Sequence, residues 1–324
     1  MTVIDVHAHV LPPSYLALLE KNGFDARRDE GFPTPAWSPE AHLEFADEAG
    51  INYSVVTLST PHMHFGNDAE ACAAARAINE EFAQFCNGSP QRFGFCAALP
   101  LPCVEESIEE ARYAFDELGA LGVKVPSSAQ GVYLGDERFN DLFAFLDERA
   151  ATIIIHPSTP SQFPQNCFTS VPKPLFEFLA DTTRTVLNMI AHGTLEKYPH
   201  VNVVVPHCGS FLSEVLHRTI GISKVLVPAG IMEPCDVEAG FARLYYDIAG
   251  NARPVMLDAL LKVADPSHVM FGGDWPYTPA PMVSAALADY WTCPELEGIR
   301  DKVMFENAAA LFGLKPLETG CARL

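Results

Sequence analysis

Eight short apolar runs recur along the chain, and a longer amphipathic stretch follows most of them. The apolar runs predict β-strands near residues 3–7, 52–58, 93–99, 122–126, 152–156, 201–206, 243–248 and 268–272. The stretches between them predict helices at 39–49, 69–87, 104–118, 137–150, 174–191, 211–226 and 253–263. Runs such as Ile153-Ile154-Ile155 are apolar at every position, which is typical of parallel strands that are buried on both faces.

The repeated strand–helix order predicts an α/β fold, a (β/α)8 TIM barrel that uses residues 1–324 as a single domain. An open, doubly wound sheet would give the same alternation, but no glycine-rich phosphate loop follows any predicted strand. Two long segments, 10–38 and 157–173, follow strands one and five, and we expect them to be extended loops that wall a pocket. Extra C-terminal helices are expected after strand eight, at 282–291, 294–303 and 305–312.

Histidine or aspartate stands at the carboxyl end of several predicted strands. These residues are His7 and His9 on strand one, His156 on strand five, His207 on strand six and Asp274 on strand eight. Side chains alternate along a strand, so His7 and His9 share a face, and the carboxyl ends of all barrel strands meet at one end. Three or four nitrogen and oxygen ligands with an open position predict a catalytic site for zinc or another divalent ion.

Lys124 and Asp247 are charged residues on the apolar strands four and seven. A lysine directed into a barrel is costly unless it is paired, so we expect an ion pair with a carboxylate such as Asp247 or Asp274. The alternative is a carboxylated Lys124 that bridges two metal ions. Asp247 is expected either to pair with Lys124 or to orient a metal ligand. His62 and His64 lie in loop sequence after strand two and are interpreted as pocket lining or exposed residues.

Composition excludes several classes of function. The formal net charge of -20 argues against nucleic acid and anionic membrane surfaces as partners, since both attract basic patches. The sequence contains no run of 18 apolar residues and therefore predicts no membrane span. Nine scattered cysteines without a CxxC pair or an N-terminal signal sequence predict reduced thiols in a cytoplasmic protein.

The same motifs resemble the amidohydrolase superfamily. They are His7-Ala8-His9, the His-Pro at 156–157, the Pro-His-Cys-Gly at 206–209 and the Phe-Gly-Gly-Asp-Trp-Pro-Tyr at 271–277. Glu-Lys-Tyr-Pro at 196–199 and Phe-Glu-Asn-Ala at 305–308 also match. The resemblance covers nearly the whole chain and is strongest to the branch around aminocarboxymuconate-semialdehyde decarboxylase and γ-resorcylate decarboxylase. Residues 34–38, 99–102 and 131–135 further resemble 6-methylsalicylate decarboxylases.

The resemblance implies a set of roles. It implies one divalent ion, zinc or manganese, with His7, His9, His156 and Asp274 as ligands, and His207 as an acid–base group beside it. It also implies a homodimer. Two positions depart from the pattern: Ser210 stands where relatives often carry a glutamate that orients the strand-six histidine, and Ser158 follows the strand-five His-Pro where a tryptophan is typical of the aminocarboxymuconate branch.

The resemblance implies non-oxidative decarboxylation of a small ortho-hydroxy aromatic acid. The metal would chelate the acid, His207 and Asp274 would handle the proton, and an apolar slot would hold the ring. Candidate slot residues are Trp275, Phe168, Phe176 and Pro100. A hydrolase that attacks an amide or lactone with a metal-activated water would use the same ligands, and a metal-binding protein without catalysis is a third possibility.

Overall fold

The structure is a computed structural model that describes residues 2–162, 164, 166–167, 171–250, 252–317 and 320–323. Its described residues form one eight-stranded parallel sheet in the order β1 to β8. The strands are β1 Ile4–His9, β2 Tyr53–Thr57, β3 Phe93–Ala98, β4 Gly122–Pro126, β5 Thr152–His156, β6 Asn202–Val205, β7 Tyr245–Asp247 and β8 Val269–Met270.

The first and last strands meet, which bends the sheet into a nearly closed barrel. The Val6 N–H donates to Phe271 O at 3.1 Å, and the His9 N–H donates to Trp275 O at 2.8 Å. Ala8 also forms a parallel bridge with Trp275. The predicted (β/α)8 architecture is therefore confirmed.

Helices connect the strands and follow the last one. They are α1 Pro13–Lys21, α2 Ala26–Asp29, α3 Pro39–Ala49, α4 Asp68–Gly88, α5 Val104–Tyr113, α6 Asn140–Glu148, α7 Glu177–Ala191, α8 Thr194–Lys197, α9 Leu212–Leu226, α10 Val237–Ala242, α11 Val255–Leu261, α12 Ala280–Tyr290 and α13 Asn307–Phe312. Local signals explain their ends. At the start of α3, for example, the Ser38 Oγ accepts the Ala41 N–H at 3.1 Å, and Gly50 ends the helix with φ 74°.

Shorter elements complete the chain. The 3₁₀ turns are Glu137–Phe139, Lys173–Leu175, Pro266–His268 and Pro294–Leu296, and the π-helical turns are Ala114–Leu118 and Lys302–Glu306. Two antiparallel pairs lie outside the barrel, and they join Ser128–Ala129 to Val132–Tyr133 and Leu314–Leu317 to Gly320–Arg323.

The segment after β1 differs from the loop that we predicted at 10–38. It contains the helices α1 and α2, and α1 begins directly after Pro12 with Pro13 in its first turn. Proline is compatible with that position because the first N–H groups of a helix need no partner within it. The predicted loop was therefore wrong for this part of the segment.

The segment after β1 also touches the segment after β5. The Lys173 N–H donates to Glu30 O at 2.9 Å. A Cβ on Gly31 would lie only 2.7 Å from Pro172 Cα, so the two backbones approach closely at this point. Both segments leave carboxyl ends of strands, so their contact lies over that end of the barrel.

The barrel divides into an apolar and a polar part. One apolar cluster joins Ile4, Tyr53, Ile154 and Met270 of the strands to Ala308 of α13. The buried histidines and aspartates gather at the carboxyl ends instead. No helix in the described part of the chain is long and apolar enough to cross a membrane.

Candidate active site

The structure brings the four predicted metal ligands together at the carboxyl end of the barrel. Potential ligand atoms of His7, His9, His156 and Asp274 all lie within 4.8 Å of one another. Asp274 Oδ1 is 3.1 Å from His9 Nε2 and 3.5 Å from His7 Nε2. The strands β1 and β5 and the turn after β8 supply these side chains, as the strand pattern predicts.

The hydrogen bonds of the three histidines fit a metal ion. Each Nδ1 faces an oxygen, namely Asp247 Oδ2 at 2.9 Å for His7, Thr57 O at 3.4 Å for His9 and Pro157 O at 3.0 Å for His156. An Nδ1 that donates its proton outward leaves the Nε2 lone pair for the centre of the cluster. Among the described residues, His7 Nε2 is buried and has no hydrogen-bond partner.

The charges of the cluster also fit a cation. Burial lowers the pKa of His9 to about 4 and that of His156 well below its usual value, so both rings are neutral. Burial also acts to lower the pKa of His7, but the Asp247 carboxylate outweighs it and raises the value to about 9. For Asp274, burial favours the neutral acid, but the contact with His9 Nε2 and the nearby His7 and His207 hold the pKa below its usual range. The cluster therefore offers the neutral imidazoles of His9 and His156 and an ionised carboxylate, groups that bind divalent ions, and a bound ion would displace the second proton of His7.

Two glycines let the Asp274 turn approach β1. A Cβ on Gly272 would lie 2.8 Å from His7 Cβ, and one on Gly273 would lie 2.6 Å from Asp5 Oδ2. Asp5 Oδ1 accepts the N–H groups of His7 and Gly273, each at 2.9 Å. The absence of side chains at Gly272 and Gly273 thus allows the turn that carries Asp274 to lie against β1. The hydrogen bond from the Gly273 N–H to Asp5 Oδ1 holds it there.

His207 lies beside the four-residue cluster but is more exposed. Its Nε2 is 4.0 Å from Asp274 Oδ2, and its side chain is 15% exposed against 2% or less for His7 and His9. Burial and the nearby His7 both lower the pKa of His207, so its imidazole is neutral near pH 7. This position next to a carboxylate and at the edge of a cavity suits an acid–base group.

A strained backbone positions His207. His207, Cys208 and Ser210 have φ of 55–56°, and Asp274 has φ 60°. Such left-handed backbone costs of order 1–3 kcal/mol per non-glycine residue and is concentrated at functional sites. Strand periodicity gives no indication of it.

Asp247 holds this backbone in place. Its Oδ1 accepts the N–H groups of His207 and Ala249, each at 3.0 Å, and its backbone O accepts the Cys208 N–H at 2.8 Å. Ser210 does not replace the orienting glutamate, because its Oγ contacts Pro206 O at 3.5 Å and, among the described residues, His207 Nδ1 is buried without a hydrogen-bond partner. Asp247 therefore serves both His7 and the His207 turn, and the sequence indicated only the first of these contacts.

Lys124 lacks the ion pair that we expected. Its side chain is fully buried, and Nζ donates to Ser59 O at 3.1 Å. The described residues place no carboxylate within ion-pair distance of Nζ, and Asp247 is already engaged by His7 and by backbone N–H groups. The predicted pairing with Asp247 or Asp274 was therefore wrong.

A cavity of about 650 Å³ opens over the cluster. His156, His207 and Asp274 form its polar part. Its other wall is mainly apolar and includes Phe32, Leu175, Phe178, Leu179, Met256 and Tyr277. These residues were not predicted, because hydrophobicity alone does not distinguish a cavity wall from the core: Phe178 and Leu179 lie in α7, and Met256 lies in α11.

Three of the four predicted slot residues, Trp275, Pro100 and Phe176, are not part of the lining of this cavity. Trp275 stacks on Phe45 with ring centroids 4.9 Å apart, because the residue after Asp274 faces the opposite side of the sheet. Pro100 is buried in the turn after β3, where its O accepts the Cys103 N–H at 3.1 Å. Phe176 is 40% exposed and packs on Phe211. Phe168 lies outside the described residues.

Comparison with known proteins supports the resemblance read from the motifs. The chain is 30% identical to the 6-methylsalicylic acid decarboxylase of Aspergillus aculeatus over 326 residues, which cover 95% of each chain. The crystal structure of a protein described as amidohydrolase II superposes with a TM-score of 0.90 at 33% identity, covering 96% of this chain and 99% of that one. The 5-carboxyvanillate decarboxylase of Novosphingobium aromaticivorans, crystallised with manganese, superposes with a TM-score of 0.87 at 22% identity, covering 96% of each chain. The family model described as amidohydrolase matches residues 4–314, and the chain therefore belongs to the amidohydrolase family.

Proposed function

We propose that this protein is a metal-dependent, non-oxidative decarboxylase of small ortho-hydroxy aromatic acids of the salicylate type, with 6-methylsalicylate as one candidate. The observation that carries the proposal is the cluster of His7, His9, His156 and Asp274 with His207 beside it, at the base of a cavity of about 650 Å³. The similarity to a 6-methylsalicylic acid decarboxylase over nearly the whole chain supports this choice of reaction.

His7, His9, His156 and Asp274 would hold one divalent ion. When bound, such an ion supplies positive charge that fixes the carboxylate and the ortho oxygen and stabilises charge that develops on them. Zinc and manganese both suit these ligands, and the manganese in a structural neighbour makes manganese a reasonable first choice. Metal analysis of the purified protein would decide the element and the number of ions, and sedimentation would test the expected homodimer.

His207 and Asp274 are assigned to proton transfer. The ring carbon that bears the carboxylate gains a proton, and the electron pair of the broken carbon–carbon bond returns to the ring as carbon dioxide leaves. A neutral His207 can take a proton from water and deliver it to this ring carbon, and Asp274 Oδ2, 4.0 Å from His207 Nε2, could take part in the transfer through one bridging water. The apolar wall of the cavity excludes bulk water from the ring.

Hydrolysis of an amide or lactone is the second candidate because the same ligands would serve it. The decarboxylase names of the similar proteins favour the first reaction. A hydrolase with two metal ions would also need further ligands, and the described part of the chain offers this cluster only the four named above.

The decisive experiment is incubation of the metal-loaded protein with salicylate, 6-methylsalicylate and dihydroxybenzoates, with carbon dioxide and the phenol as readouts. Exchange of His207→Asn should lower kcat about 100- to 10,000-fold while the bound metal, measured by elemental analysis, is retained. Turnover of lactones without turnover of any of these acids would contradict the proposal. Loss of the metal in the variant would instead make His207 a ligand.

A further inference from the structure

A second group of metal-binding side chains lies outside the proposed active site. Among the described residues, potential ligand atoms of His64, Asp68 and Cys103 all lie within 4.8 Å of one another. None of these residues belongs to the four-residue cluster at the carboxyl end of the barrel. Imidazole, carboxylate and thiolate are the side-chain groups that bind zinc in proteins. The group therefore offers ligands to a second metal ion of softer character.

A second thiol stands beside this group. Cys72 follows Asp68 by four residues in α4, so the two side chains lie on the same face of the helix. Cys103 stands directly before α5, and its side chain makes no capping hydrogen bond with that helix. The Cys72 and Cys103 thiols instead hydrogen bond with each other between the two helices. Cys72 is therefore a fourth potential ligand.

An ion pair holds the two helices together next to the thiols. Arg76, one turn after Cys72 in α4, donates from Nε to Glu110 Oε2 in α5 at 2.8 Å. Glu110 is only 4% exposed, and its Oε1 also accepts a proton of Asn79 Nδ2 at 2.8 Å. A metal site binds well when other contacts already hold the elements that carry its ligands. These contacts fix the distance between the helices that carry the two thiols.

The surroundings of the two thiols are negatively charged. Burial raises the pKa of Cys72, and the carboxylates of Glu106, Asp68 and Glu110 raise it further. Burial also raises the pKa of Cys103 to about 12, so both thiols are protonated near pH 7. Carboxylates that disfavour a thiolate also attract a cation. A divalent ion bound here would displace the thiol protons into the solvent, as metal ions do when cysteine binds them.

His64 connects the group to the loop after β2. Its side chain is 5% exposed, Nε2 lies 2.9 Å from Asp68 Oδ1, and Nδ1 accepts the Gly66 N–H at 3.1 Å. In this arrangement the ring proton is on Nε2, and Asp68 accepts it. A metal ion at Nε2 requires the proton on Nδ1, so the Gly66 N–H must turn away. Gly66 is exposed and has φ 93°, and glycine permits such a change at low cost.

We propose that His64, Asp68, Cys72 and Cys103 form a second metal site for a thiophilic divalent cation, with zinc as the preferred ion. The ion would join the loop after β2 and the start of α4 to the start of α5. Two thiolates, one imidazole and one carboxylate complete a tetrahedral set, which is typical of structural zinc. The site does not depend on the proposed reaction. Manganese binds thiolates weakly, so manganese would report the site in the barrel alone.

Cobalt provides the test, because it replaces zinc and its thiolate complexes absorb in the near ultraviolet through charge transfer from sulfur to the metal. The ligands proposed in the barrel contain no sulfur, so only the second site gives this band. Addition of cobalt to the reduced, full-length protein should produce the band, and excess zinc should remove it. The double exchange Cys72→Ser, Cys103→Ser should abolish the band.

Two controls separate this site from other thiols and from the barrel. Cys235→Ser removes a partly buried thiol elsewhere, and His156→Ala removes a proposed barrel ligand, and both variants should keep the band. If the double variant does not fold, wild-type protein decides the question. Zinc should then protect Cys72 and Cys103, but not Cys235, from alkylation, measured by mass spectrometry of peptides. Absence of the band with excess cobalt, or equal alkylation with and without zinc, would overturn the site.

Discussion

At the scale of the residue, Asp247 supports both parts of the site. One carboxylate oxygen lies 2.9 Å from His7 Nδ1, and the other accepts the backbone N–H of His207. Carboxylates that hold a ligating histidine fix its tautomer and orientation and strengthen metal binding. The same side chain thus couples the proposed metal ligand on β1 to the proposed acid–base group after β6.

Exchange of Asp247→Asn should weaken metal binding about 10- to 100-fold, because His7 would lose the partner that fixes its proton on Nδ1. Competition with a fluorescent chelator measures the dissociation constant directly. Asp258→Asn, an exposed exchange, provides the control and should leave the constant unchanged. An unaltered metal affinity in the Asp247 variant would show that His7 does not depend on this contact for binding.

Some residues of the site could be predicted from the sequence, and others could not. His7, His9, His156 and Asp274 were predictable as a group because each stands at the end of a strand, where the barrel geometry brings them together. The partner of Lys124 was not predictable, since it depends on the direction of a long side chain. The slot residues were missed because hydrophobicity alone does not distinguish the cavity wall from the core.

At the scale of the element, the segment between β1 and α3 is more structured than its composition indicated. Its prolines and glycines predicted an extended loop, yet Pro13 stands in the first turn of α1, and Gly23 and Gly31 follow the C-caps of α1 and α2. Proline restricts the backbone in the same way at a helix start as in a loop, so the pattern alone could not separate the two. By contrast, the continuous apolar runs made the barrel strands predictable to within a few residues, with the largest shortfalls, three residues each, at β7 and β8.

Glu30 in this segment makes stability depend on pH. Burial raises its pKa from the usual 4.5 to about 7, so between these pH values the folded protein holds a proton that the unfolded chain has lost. Its contribution to stability is therefore full below pH 4.5 and is lost as the pH rises to 7. Glutamine cannot ionise, so Glu30→Gln removes this loss. As the pH rises from 4.5 to 7, the free energy of unfolding of the variant should increase relative to that of the wild type by up to about 3 kcal/mol.

Urea unfolding of metal-free protein at pH 4.5, 5.5 and 7 measures this difference. Glu105→Gln, an exchange at an exposed position in α5, should give a difference from wild type that changes little with pH. A Glu30→Gln difference that is the same at all three values would rule out the raised pKa.

At the scale of the whole molecule, the proposed metal site joins distant parts of the barrel. Its four residues come from β1, from β5 and from the turn after β8, and β1 and β8 are also the strands at which the sheet closes. A ligand that binds only the folded state stabilises it by mass action. A metal ion at this site would therefore stabilise the closure of the barrel as well as serve the proposed reaction.

Free manganese or zinc at 100 times its dissociation constant should stabilise the folded protein by about 2.7 kcal/mol relative to protein in chelator. Thermal unfolding with increasing metal concentration measures the rise in Tm. His156→Ala removes one proposed ligand and should abolish most of the rise. An equal rise in this variant would place the stabilising ion at another site.

The contact of Glu30 with Lys173 ties together two walls of the cavity that are far apart in the chain. One hydrogen bond and the close approach of Gly31 to Pro172 join the segment after β1 to the segment after β5. While this contact is intact, neither segment can move away from the other, so the two walls would have to move as one unit to open the cavity. Entry of the acid and escape of the phenol would then share a single gating step, whose rate sets an upper limit on turnover however fast the chemistry is.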